Sequence, residues 1–277
     1  MRCGDDDTDK RIDLPAELKK DLGKRNYYDA VVFTHLDDDH ICRSSEFFQL
    51  DHATKYQGEG RIKITEMWVP AAVITEEGCT DESRIIQAEA RYRLKLKAGV
   101  RVFSRPERLK DWFEKNGLKL DDVRHLIIDA GQLVPTFSLA SDGVEFFVHS
   151  PFAKRMNDAE IEDRNQDSIV VQAVFEIDGV KTKAIFAADC THECWTEIVN
   201  ITKYHKRVER LEWDIMKLAH HCSYKSIGPE RSTKASPDKT IPVAEAKFLY
   251  EEKGLEHCRI VSTSWPIPTI GSDDDKS

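Results

Sequence analysis

No apolar run in these 277 residues approaches the roughly 18 positions a membrane-spanning helix needs. Its opening, "MRCGDDDTDK", has none of the apolar character of an export signal. An excess of basic residues is missing too: 41 lysines and arginines face 50 aspartates and glutamates, for a net charge of −9. Such a surface repels nucleic-acid backbones at long range, so a polyanionic substrate would need a local basic patch or bound cations. Cysteine pairs at metal-ribbon spacing are lacking as well. The seven thiols (Cys3, Cys42, Cys79, Cys190, Cys194, Cys222, Cys258) are scattered and odd in number. Cys190 and Cys194 are four apart, with no second pair to complete a zinc ribbon. That usage fits a reducing compartment, and a cytoplasmic protein without membrane insertion is expected. Repeats and low-complexity linkers are absent, which predicts one continuous domain over 1–270 followed by a polar, frayed tail, 271–277.

What is present is the composition of an ordinary globular protein, 40% hydrophobic and 33% charged. "LPAELKKDLGK" (14–24) reads as a helix with proline near its start and glycine at its end. "YDAVVF" (28–33) and "RIKITEMWVP" (61–70) read as strands, and "ICRSSEFFQL" as the start of a helix. "TDESRIIQAEARYRLKLKAG" (80–99) has the spacing of a capped amphipathic helix. A strand "VRVFS", a helix "RPERLKDWFEKNG" and strands near "HLIID" and "VEFFVHS" follow. In "SIVVQAVFEIDGVKTKAIFAAD" (168–189) two apolar runs flank Asp178-Gly179, a favoured tight-hairpin dipeptide. A helix "THECWTEIVNITKYHKRVERL" and a strand "WDIMKLA" (213–219) come next. Alternating strands and helices with a hairpin among them predict a layered α/β protein with mixed sheets.

Three of these strands end in metal-ligand residue types. After the first comes His35-x-Asp37-x-Asp39-His40. In extended backbone, side chains two apart share a direction, so His35, Asp37 and Asp39 face one side while His40 opens a helix. Asp189 closes the second strand, and His220 and His221 follow the third. Taken singly each has an ordinary explanation: a solvated acidic loop, a helix cap at Asp189 for the helix near Thr191, a satisfied histidine pair. All three in this order, each terminating a buried strand, point instead to a shared metal site.

"HLDDDH", "AIFAAD" and "MKLAHHCS" together resemble the metallo-β-lactamase superfamily. The likeness is greatest to the soluble hydrolase domain of ComEC-like competence proteins, where an aspartate such as Asp37 replaces the usual second histidine. "VHSPF" (148–152) followed by "NQDSIVVQ" (165–172) is similar to a segment of that subfamily, and the resemblance spans residues 28–226. It implies a four-layer αββα sandwich. It also implies a site of two divalent ions, Zn or Mn with Fe as a further option. One ion would take His35 and Asp37, the other Asp39, His40 and a histidine of the pair His220 and His221, with Asp189 bridging. Three departures stand out: Cys222 replaces a common glycine, Asn165 a common metal-binding histidine, and the hairpin that usually precedes the first motif is missing or truncated, leaving a sheet edge where a partner protein could bind.

The resemblance implies hydrolysis by a metal-bound hydroxide, with Asp39, His220 and His221 catalytic. It favours a phosphodiester in a nucleic acid or nucleotide. Asn165, Ser168, Ser223 and Lys225 are the expected substrate contacts, with Tyr224 beside them and Lys154, Arg155 and Arg164 as a basic set; each of these also suits an ordinary polar loop. Two alternatives remain open: an ester, lactone or thioester hydrolase on the same fold, favoured by the acidic surface, and a non-catalytic binding module.

Overall fold

The structure, a computed structural model, describes residues 12–154, 163–229 and 240–264. Cys3, Arg155, the "MRCGDDD" opening and the 271–277 tail therefore lie outside the described residues. The chain divides into two compact units, Met1–Val134 with Val148–Ile169, and Pro135–Phe147 with Val170–Ser277. The protein is mixed α/β, with two sheets among the described residues.

In the first unit, strands β1 (Tyr27–Val32), β2 (Lys63–Pro70), β3 (Val100–Phe103) and β4 (Ile127–Ile128) form a parallel sheet in sequence order. Parallel neighbours need crossovers, and the helices Asp81–Lys95 and Glu107–Lys115 supply two of them. Met67, Val69, Ile86, Leu94, Val102 and Phe113 fill the core at 1% exposure or less. β1 is an edge strand among the described residues. The helix expected after the acidic run is a correction: two single turns, Asp38–Ile41 and Ser44–Phe47, stand there, separated at Arg43, whose φ of 61° is left-handed. A non-glycine residue in that region cannot continue a right-handed helix.

The second sheet runs β5 (Val144–Ser150), β6 (Val170–Ile177), β7 (Val180–Ala187), β8 (Trp213–Lys217) and β9 (Gly254–Val261). β6 and β7 are antiparallel in full register from Val170↔Ala187 to Ile177↔Val180. Asp178 and Gly179 both take positive φ, 52° and 79°, as the expected two-residue turn demands. β7, β8 and β9 are parallel neighbours, so the sheet is mixed. Trp195, Trp213, Met216 and Leu249 are buried in this unit, and the Trp213 indole donates to the Leu249 carbonyl at 3.0 Å. The last strand, "GLEHCRIV", went unread in the sequence because its apolar and polar residues do not alternate cleanly.

Candidate metal half-sites

The first cluster grows from the end of β1. Past Val32 the backbone is still held: Phe33 N–H donates to Trp68 at 2.9 Å, and the Thr34 carbonyl accepts from Ile169 N–H at 3.2 Å. His35 and Leu36 then turn inward, at 2% exposure each. Asp37 is the residue before the short helix, its carbonyl accepting from His40 and Ile41. The Thr34 hydroxyl lies 3.0 Å from His35 Nδ1 and 3.5 Å from His40 Nδ1. One hydroxyl thus braces both imidazoles, whose ring centres are 4.1 Å apart. Exposed Asp39 and half-buried His40 each present a ligand atom within 4.8 Å of the other.

Asp37 faces a different group. Its Oδ1 accepts from Arg164 Nη1 at 2.9 Å, and its Oδ2 lies 3.8 Å from His35 Nε2. The same Nη1 donates to the Leu36 carbonyl at 3.0 Å. Arg164 Nε meets both Glu76 carboxylate oxygens at 3.0 and 3.1 Å, and its Nη2 also donates to Glu76. Hydrogen bonding to Glu76, and then to Asp37, raises the Arg164 pKa above its ordinary value against the opposing cost of burial. Arg164, expected on a substrate-facing loop, is therefore engaged within the first unit. Lys154 is exposed.

The neighbouring loop is internally tied. Asp163 Oδ1 accepts from the Asn165 and Gln166 amides at 3.1 and 3.2 Å. Fully buried Ser168 donates its hydroxyl to the Asn165 carbonyl at 2.6 Å, which makes it a brace of the loop. The Asn165 Oδ1 is buried with no hydrogen-bond partner among the described residues. A surface hollow of about 460 Å³ borders Tyr27, Asp51 and Lys63, at the opposite end of β1 from the His35–His40 loop.

The second cluster belongs to the other unit. β7 delivers Asp189, 3% exposed, one residue past Ala188. Thr191, not Asp189, occupies the cap position of the helix His192–Tyr204, so the capping explanation for Asp189 falls away. The Ala188 carbonyl accepts from His220 N–H and from Lys217 Nζ, both at 3.0 Å, which fixes the turn after β8 against the end of β7. His221 Nε2 then lies 3.5 Å from Asp189 Oδ2, and its Nδ1 lies 3.2 Å from the Thr263 hydroxyl. The His220 Nδ1 is buried with no hydrogen-bond partner among the described residues.

This turn is strained. His220, His221 and Cys222 have φ of 49°, 50° and 69°, three consecutive non-glycine residues in left-handed backbone. Each such residue costs on the order of 1–3 kcal/mol, and strain of this kind concentrates where side-chain placement matters. Beyond it, Ser223 Oγ accepts from Lys225 N–H at 3.3 Å, so this hydroxyl caps the next turn, while Tyr224 and Lys225 remain exposed.

Each cluster thus sets an imidazole beside a carboxylate at the end of a strand, a donor set suited to zinc or manganese. Sequence reasoning missed Thr34 and Glu76. Thr34 carries no signal of its own, and Glu76 is 88 positions from the arginine it holds. Comparison with family models, with curated proteins and with solved structures yields no match to this chain.

Proposed function

We propose that this chain is a metal-dependent hydrolase acting on phosphodiesters, with Asp39 and His40 of one half-site and Asp189 and His221 of the other serving a common metal centre. The observation that carries the reading is the pairing inside each half-site, where imidazole and carboxylate atoms lie within 4.8 Å. The order of the motifs along the chain supports the joint use of both halves. A divalent ion in such a centre lowers the pKa of water toward 7 and offsets charge on phosphoryl oxygens.

The protein's own part is orientation and proton transfer. Thr34 fixes the facing edges of His35 and His40, and Thr263 fixes His221 through Nδ1 so that Nε2 is presented toward Asp189. His220 takes the role of proton donor to the leaving oxygen, its buried Nδ1 being spent on no described side chain. Asn165, with an equally unspent Oδ1, orients the substrate or its bound water. Ser223 and Lys225 flank the histidine turn as substrate contacts. The net charge of −9 favours a second reading, hydrolysis of an ester, lactone or thioester that needs no polyanion groove.

Turnover of bis-p-nitrophenyl phosphate and of p-nitrophenyl acetate, each with Mn²⁺ or Zn²⁺ added, separates these readings. Phosphodiester cleavage is expected to dominate. Asp39→Ala is expected to lower that rate by at least about 100-fold with folding intact, as removal of a positioned catalytic group does. Wild-type rates in the variant would end the mechanism, and protein that takes up no metal would identify a binding module instead.

A further inference from the structure

The Arg164 guanidinium occupies Asp37 Oδ1, on a carboxylate that the two-ion arrangement would give, with His35, to a metal. Three of its nitrogens are committed, to Asp37, to the Leu36 carbonyl and to both oxygens of Glu76. Glu76 follows the short helix Ala71–Thr75, so the cation is anchored from a segment separate from the His35–His40 loop. Arg164 and Glu76 are both largely shielded, with side chains 30% and 16% exposed. A planar fork on two carboxylates is the strong geometry for a guanidinium, and burial weakens the screening that would let a second cation approach. A divalent ion at Asp37 Oδ1 would have to displace Arg164 or sit against its positive charge.

We infer that Arg164 replaces one of the two metal ions, so that the chain binds a single divalent ion and Asp37 serves as the acceptor of a fixed guanidinium instead of a ligand. This rests on the metal-hydrolase reading above and goes further by fixing its metal count. In this arrangement Arg164 supplies permanent positive charge beside the His35–His40 loop, tying Leu36 and Asp37 to Glu76. It acts as a positioning residue.

The test is a count of metal, made without reference to turnover. Chelator-stripped full-length protein is dialysed against excess Zn²⁺, then against metal-free buffer, and its metal content is measured by elemental analysis. Wild type is expected to retain one equivalent and Arg164→Met two, because the variant frees the Asp37 and Glu76 carboxylates. Asp37→Asn is expected to keep the single equivalent. Two equivalents in the wild type, one in both wild type and Arg164→Met, or loss of metal in a folded Asp37→Asn would each overturn the inference. Should Arg164→Met fail to fold, the wild-type count and Asp37→Asn still decide it. Two equivalents in the wild type leave the hydrolase reading standing; none at all removes that reading and this inference with it.

Discussion

Cys222 shows what a single side chain can reveal. It completes the left-handed run after β8, at φ 69°, with an exposed thiol. Its Cβ meets a steric penalty that glycine would not. Cys222→Gly is therefore expected to stabilise the protein by about 1 kcal/mol, the relief of strain being partly offset by greater chain entropy when unfolded. Thermal unfolding monitored by circular dichroism reads this directly, and a fall in melting temperature would mean that the thiol contributes packing that outweighs the strain. His220 and His221 share the same backbone region, but their side chains are the ones the turn presents. No equivalent relief is open there without loss of the imidazoles.

Among elements, the helix Asp81–Lys95 is held by an ion network at its buried face. Glu89, fully buried, accepts from Arg93 Nε at 2.6 Å and from the His52 amide at 2.9 Å, with the His52 ring Nδ1 also at 2.9 Å. Arg93 in turn donates to the Ile64 and Gly99 carbonyls at 3.0 and 2.9 Å, tying the helix to β2 and to the entry of β3. Burial pushes the Glu89 carboxyl up, but the hydrogen bonds from Arg93 and His52 outweigh it and hold the group below its ordinary 4.5. A depressed folded pKa means stability that is fully present above that ordinary value and is lost as pH falls through the lower folded one. Glu89→Gln, which leaves a buried guanidinium without its countercharge, is expected to cost about 3 kcal/mol at neutral pH and to flatten the acid side of the stability profile. Denaturant unfolding at pH 7 and below 4.5 measures both, and an unchanged acid limb in the variant would show that Glu89 does not set it.

The same elements show how far the sequence could be read. The β6–β7 hairpin was legible because apolar runs and Asp178-Gly179 encode it locally. The break at Arg43 was not, since nothing in "ICRSS" marks an arginine for left-handed backbone. The paired ligand types His40 with Asp39 and His221 with Asp189 were visible as strand-end residues. The Arg164–Asp37–Glu76 contact was hidden because it joins positions far apart in the chain through side chains that read as surface charges.

At the scale of the whole molecule, nine net negative charges and the proposed metal centre would have opposite consequences for substrate capture. On the proposed reading the acidic surface would repel a polyanion, whereas a divalent ion bound at the proposed centre would attract a phosphodiester locally. Arg164, its charge met by Asp37 and Glu76, adds no such attraction. The proposal depends on both half-sites contributing to that centre. Anomalous X-ray scattering at the zinc edge from crystals of zinc-loaded protein tests it most directly. A peak coordinated jointly by Asp39, His40, Asp189 and His221, with Arg164 still on Asp37, is the expected result. Zinc bound by one pair alone, at some other place on the chain, or at none, would contradict it.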